Sequence, residues 1–300
     1  MPSITSSNVA DAIVKLVAAD ALPALVGSLV MGNLVNRSYE ADLAQAGDTV
    51  NIAIPPTMSA NNIMEGGSVQ TQNPSLGNAQ IVINVHAESS FQIPDVTRIL
   101  AHPELLQMYM MPAIIGIATR IETDLLQLYV NLTANSSVGT GGQTITESVI
   151  DSAETALFNA LVPEPLPKFL VVSGATYSDM RQIQRFSEDK VSPEMAPVIP
   201  SGQVGRVKSL YVMRSQYVPK LANGTTYNVA FARDAFALVI RQLPKPLPNT
   251  GAVADYASLG NFGMRVVLSY APNTLAQQFT VDVLYGVGVL RNVFGVPVLT

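Results

Sequence analysis

Side chains able to do acid–base or metal chemistry are few in this chain. It has two histidines, His86 and His102, and no cysteine. A zinc centre takes three or four protein ligands, so one here would have to be built mainly from carboxylates, an uncommon donor set. His86 and Glu88 stand two apart on one face of an expected strand, which suits a hydrogen-bonded surface pair better than a ligand pair. His102 precedes Pro103 and reads as a helix-boundary residue rather than a base. Glu122 and Asp124 have the look of a catalytic carboxylate couple, yet a two-residue separation on a helix aims them in different directions. Pairing of one or the other with Arg120 is the expectation. Gly139-Thr140-Gly141-Gly142 lacks the lysine and spacing of a phosphate loop. Gly286-Val287-Gly288 has no third glycine at the dinucleotide-binding spacing, and there is no Gly-x-Ser-x-Gly elbow. No catalytic residue, cofactor site or metal ligand is assigned, and the chain reads as a non-enzyme.

Composition points the same way. Charged residues make up 13% of the 300 residues, against about 25% in an ordinary soluble domain. A surface so thinly charged suits a subunit that hides much of its exterior against copies of itself. Net charge is −5 and the basic residues are scattered, so no stripe for specific nucleic-acid binding is present. The N-terminus lacks the basic region and apolar run of a signal peptide. Lys15, Asp20 and Pro23 spoil the apolar stretch 13–31 as a membrane span, so no membrane partner is expected.

The elements that would position these residues follow from periodicity. Residues 1–45 read as an N-terminal arm, with Ser7 or Asn8 capping a helix that Pro23 interrupts. Val50, Ile52 and Ile54 alternate along one strand, and Ile81, Ile83 and Val85 along a second. Between them, residues 57–80 carry Glu65 as their only charge, and no Lys or Arg occurs between Arg37 and Arg98. This is a long hairpin, 46–90, whose tip is too poor in apolar residues to form its own core. Met58, Ile63, Met64, Glu65, Val69 and Leu76 are its candidate inter-subunit contacts.

After Phe91-Gln92-Ile93-Pro94-Asp95, the residues Met110, Ile114, Ile117, Ile121, Leu125, Leu128 and Leu132 recur at spacings of four and three. They define one apolar stripe on a helix spanning 103–132, about 45 Å long. Pro112 either kinks it or opens a second helix. Thr144 and Glu147 have capping-box spacing ahead of a helix with Val149, Ala153, Leu157 and Ala160 on one side. A buried strand at 169–172, a helix at 175–186, a loop marked by Pro193, Pro197 and Pro200, and strands near 210–212 and 227–231 follow. An apolar run, 235–240, and a rigid connector, 243–248, lead to two long strands, 265–270 and 278–284, and an apolar tail.

In this order the elements resemble the major capsid proteins of tailed double-stranded DNA phages, which share the Hong Kong 97 phage fold. The residues that carry the resemblance are Ala46-Gly47-Asp48-Thr49-Val50-Asn51-Ile52 leading into an extended loop, and Phe91-Gln92-Ile93-Pro94-Asp95 before a spine helix. To these add Met111-Pro112-Ala113, Ala118 and Ile121-Glu122-Thr123-Asp124-Leu125-Leu126 in that helix, Val171-Val172-Ser173-Gly174 in an axial domain, and Asp282-Val283-Leu284-Tyr285-Gly286-Val287 with Leu290-Arg291 in a closing strand. The resemblance implies an α+β fold with an N-terminal arm (1–45), an extended loop (46–90), a peripheral domain with the spine helix (91–138 and 249–300) and a mixed α/β axial domain (139–248). It also implies hexamers and pentamers closing an icosahedral head in the host cytoplasm, portal and scaffolding partners, and packaged double-stranded DNA. The loop has no lysine, so the lysine–asparagine weld of some family members is not available in its familiar place. With the chain beginning at Met1, a separate scaffolding protein is expected. An encapsulin compartment, an unrelated α/β enzyme and a tail-tube subunit remain as alternatives.

Overall fold

A short turn of helix, α1 (Met31–Leu34), precedes the hairpin, whose strands β1 (Thr49–Ile54) and β2 (Gly77–Val82) pair antiparallel. Thr49 lies opposite Val82 and Ile54 opposite Gly77. Alternation decides the faces: Val50, Ile52 and Ile81 are buried, while Asn51, Ala53 and Gln80 face solvent. This computed structural model describes residues 29–39, 49–56, 58–63, 65–69, 71–95, 105–183, 203–247, 251–259 and 262–300. The expectations placed on Ser7, Asn8, Pro23, Met64, His102, Pro103, Phe186, Pro193, Pro197 and Pro200 lie outside the described residues.

The long helix is α2 (Leu105–Gln127), about 35 Å of α-helix that tightens into a 3-10 turn at Leu128–Asn131. The expected single helix to 132 is therefore shorter at its C-terminal end. Along it Met110, Ile114, Ile117, Ile121 and Leu125 are buried, and Leu128 is half-buried on the 3-10 turn. Pro112 is exposed and lies inside the helix, so it does not open a second one.

Two sheets flank this helix. The first runs β10 (Ala252–Leu259), β11 (Phe262–Ala271), β12 (Ala276–Val289), β3 (Val85–Pro94), all antiparallel, with β9 (Phe236–Arg241) pairing the last residues of β12. The second has six strands in the order β4 (Val138–Gly139), β13 (Gly295–Leu299), β8 (Tyr227–Ala232), β5 (Lys168–Val172), β7 (Leu210–Arg214), β6 (Gln203–Val207). It is mixed, with β5 parallel to β7 and β4 parallel to β13. One apolar core spans helix and both sheets.

Three local readings differ. The helix α3 (Glu147–Asn159) starts two residues later than a Thr144 cap requires; Thr146 holds the cap position without a side-chain bond. Its buried residues are Ile150, Ala153 and Leu157, with Val149 and Ala160 half-buried at the flanks. The helix α4 (Gly174–Gln182) begins one residue earlier than expected because Ser173 caps it, accepting from the Thr176 N–H. β10 was not foreseen, since its residues carry no clean alternation. Strand membership also crosses the expected domain bounds: β13 hydrogen-bonds into the six-stranded sheet and β9 into the other.

Candidate assembly surface

The residues with chemical potential are spent on structure. His86 Nε2 lies 3.0 Å from Asp282 Oδ2 on the neighbouring strand, so its partner is Asp282 and not Glu88, which accepts from the Ser90 hydroxyl. Asp282 is buried and is also gripped by Arg265, whose Nε donates to Oδ1 at 3.0 Å and whose second nitrogen donates to Oδ2. That hydrogen-bonded carboxylate raises the Arg265 pKa.

Asp124 accepts from Tyr285 Oη at 2.7 Å and from Arg120 Nε at 3.1 Å, so of the two carboxylates Arg120 takes Asp124, four residues on. Burial, then the bond to Asp124, pushes the Tyr285 phenol up. Glu122 points the other way, into the core, and accepts the Gly32 N–H at 3.0 Å. Burial raises its pKa against the opposing effect of nearby backbone N–H groups.

The glycine clusters are packing devices. A Cβ on Gly139 would lie 2.3 Å from the Leu299 carbonyl oxygen, and one on Gly286 would lie 2.4 Å from that of Val82. Among the described residues no group of three or more His, Cys, Asp or Glu is placed to hold a metal ion. Among them, too, no helix is long and apolar enough to cross a membrane.

What the molecule does present is the hairpin. Its base is held by a small core in which Val50, Ile52, Ile81 and Ile83 meet Ala237, Val239 and Leu290. Gly286 and Gly288 let β2 approach β12 at that point. On the outer face, Asn51 Oδ1 accepts from Gln80 Nε2 at 2.9 Å, a cross-strand amide pair in place of charge. Farther out, Gln72 clamps the two legs by exchanging hydrogen bonds with the Ser59 backbone, its Oε1 accepting from the Ser59 N–H at 3.2 Å.

On both sides of that clamp this part of the hairpin has no core. Every described residue from 58 to 78 is exposed, including Glu65. Met58, Ile63, Val69 and Leu76 are 65%, 57%, 79% and 69% exposed. Apolar side chains left bare along a hairpin in this way lack the burial that would order them.

Two exposed apolar groups escaped the sequence reading. Tyr109, Met111 and Ile115 are exposed on α2, outside the buried stripe, and Phe158 and Leu161 are exposed at and just beyond the C-terminal end of α3. The signal for the first was a second apolar spacing, 111 to 115, masked by the stronger stripe. Glu122 is one of the two expected partners of Arg120, and it is instead buried without an ion pair among the described residues. The run of apolar residues on both sides of it was the available hint of burial.

No protein-family profile matches the sequence, and no curated protein matches it either. Solved structures do. A protein of Mycobacterium phage Che8 superposes with a TM-score of 0.64 over 90% of each chain, at 18% identity. The capsid of the cyanophage P-SCSP1u gives 0.59 at 14% identity, covering 90% of this chain and 87% of that one. The holo-SrpI encapsulin complex from Synechococcus elongatus gives 0.54 at 12% identity, covering 84% and 81%. The hairpin, long helix and two sheets of the described residues have the arrangement of the Hong Kong 97 phage fold.

Proposed function

We propose that this chain is a structural shell subunit, the major capsid protein of a tailed double-stranded DNA phage, assembling into hexamers and pentamers around the genome. The observation that carries this reading is the bare hairpin tip: a segment with exposed Met58, Ile63, Val69 and Leu76 and almost no charge acquires its burial from a sister molecule. The low charge content of the sequence and the likeness to phage capsid structures support a structural role. On this reading portal and scaffolding proteins are its partners, packaged DNA is a non-specific neighbour, and the virion is its location.

An encapsulin-type compartment is the second reading, favoured by the likeness to the encapsulin complex. Negative-stain microscopy and light scattering of the purified chain separate the readings. Large shells that package DNA in the infected cell support the capsid; small shells loaded with an enzyme support the compartment. A lone, well-behaved particle of 31.9 kDa under all conditions overturns both.

A further inference from the structure

Glu122 is a carboxyl group in the wrong place for an ordinary core. It sits on α2 between buried Ile121 and Leu125, is itself buried, and belongs to no ion pair among the described residues. Its Oε1 accepts the Gly32 N–H at 3.0 Å, and the N–H groups of Met31 and Val30 approach the same carboxyl. Its Oε2 is buried without a hydrogen-bond partner among the described residues. A carboxylate with one oxygen unsatisfied away from water is costly, far more so than a neutral carboxyl group. The lid over it is the base of the N-terminal segment: Leu29, Met31, Leu34 and Val35 are buried in the main core.

That lid is fastened at its other end by a different device. Asn36 forms a parallel bridge with Ala237; its N–H donates to the Phe236 carbonyl at 3.0 Å and its carbonyl accepts from the Leu238 N–H at 3.1 Å. The Asn36 side-chain amide also donates to Asp234 Oδ1 at 2.7 Å. Besides the burial of their apolar side chains, residues 29–36 have polar fastenings at both ends: the Asn36 bridge and its bond to Asp234 at one, the carboxyl of Glu122 at the other.

We propose that Glu122 is a proton-controlled clasp for the base of the N-terminal segment, seating residues 29–35 on the long helix when its carboxyl is neutral and loosening them when it ionises. The charged and titratable groups on the elements packed around it are occupied elsewhere. On α2, Arg120 and Asp124 bond each other and Tyr285 of β12. Asp282 of β12 is held by Arg265 and by His86 of β3, while Glu88 accepts from Ser90. Arg37 and Asp234 lie at the Asn36 end of the segment. None of these shifts Glu122, whose environment is burial and the three backbone N–H groups.

The sign follows. Burial raises the carboxyl pKa in the seated state above its value when the segment is lifted and water enters. Seating is therefore complete at pH below the ordinary glutamate range and weakens as pH rises from there through the raised value.

This inference concerns the single chain and stands whether or not the shell reading does. Hydrogen exchange on the full-length subunit tests it, comparing the peptide 29–39 with the peptide 295–299 of β13 as an internal reference for intrinsic exchange. In the wild type, protection of 29–39 relative to the reference falls by up to about tenfold per pH unit above the ordinary glutamate range. In Glu122→Gln, which keeps an acceptor and removes the titration, the ratio stays flat and exceeds the wild type at high pH. Parallel curves for the two proteins overturn the clasp. If the variant does not fold, the wild-type ratio alone decides: constancy across pH, or loss of protection on acidification, overturns it as well.

Discussion

Tyr285 Oη donates a 2.7 Å hydrogen bond to Asp124 Oδ2, joining β12 to α2 across 161 positions of sequence. Tyr285 is among the largest fully buried side chains, so the bond ties the closing strand to the long helix inside the core. Tyr285→Phe keeps the ring and removes the bond. The expected loss is about 1–2 kcal/mol, read from the denaturation midpoint of the unassembled subunit. Because the phenol pKa is raised in the folded state, its contribution is complete below the ordinary tyrosine value of about 10 and drains away as pH rises beyond it. The variant therefore shows a shallower alkaline loss of stability than the wild type. Equal slopes would mean the phenol titrates alike folded and unfolded.

Arg265→Leu leaves the buried Asp282 carboxylate with only half-exposed His86 as a partner. Removing one side of such a pair costs about 3–5 kcal/mol, well above a surface ion pair. The same experiment on Lys245, paired with Asp255 at 3.0 Å on an exposed site, should cost under about 1 kcal/mol. Similar values for the two would show that Asp282 is better hydrated than its burial indicates.

Ile121→Asp places a second carboxylate on the buried stripe, beside Glu122, with no partner. We expect no soluble subunit, whereas Leu125→Ala should fold with a loss of about 2–5 kcal/mol. Wild-type yield of the aspartate variant on a solubility assay would contradict the position of the stripe.

Replacing residues 58–76 with a two-residue turn leaves the paired strands and their small core intact. Circular dichroism should report a folded subunit, and microscopy should show no closed shells. Loss of folding would place the tip in the intramolecular structure instead.

Gly286→Ala brings a Cβ to 2.4 Å from the Val82 carbonyl oxygen, so the hairpin base must shift. A cost of about 1–3 kcal/mol is expected, with shell closure impaired more than subunit folding. Normal shells from this variant would show that the angle of the hairpin is not critical.

The features legible in the sequence are those written in a few neighbouring residues. Val50, Ile52 and Ile81 announced their buried face through a period of two, and Met110 to Leu125 through spacings of three and four. The sparsely charged tip was plain from composition, and a segment with so few apolar residues cannot form a core of its own. What only the tertiary structure decided is every relation between distant positions. Nothing local assigns β13 to the sheet of β8, aims Glu122 at Gly32, or makes Gly286 the seat of Val82. Glu122 and Asp124 are two residues apart and both carry a carboxyl group, yet one is buried against backbone and the other joins a tyrosine and an arginine. The difference is the face of one helix and what the rest of the chain packs on it, and that packing is a property of the whole fold rather than of any stretch of it.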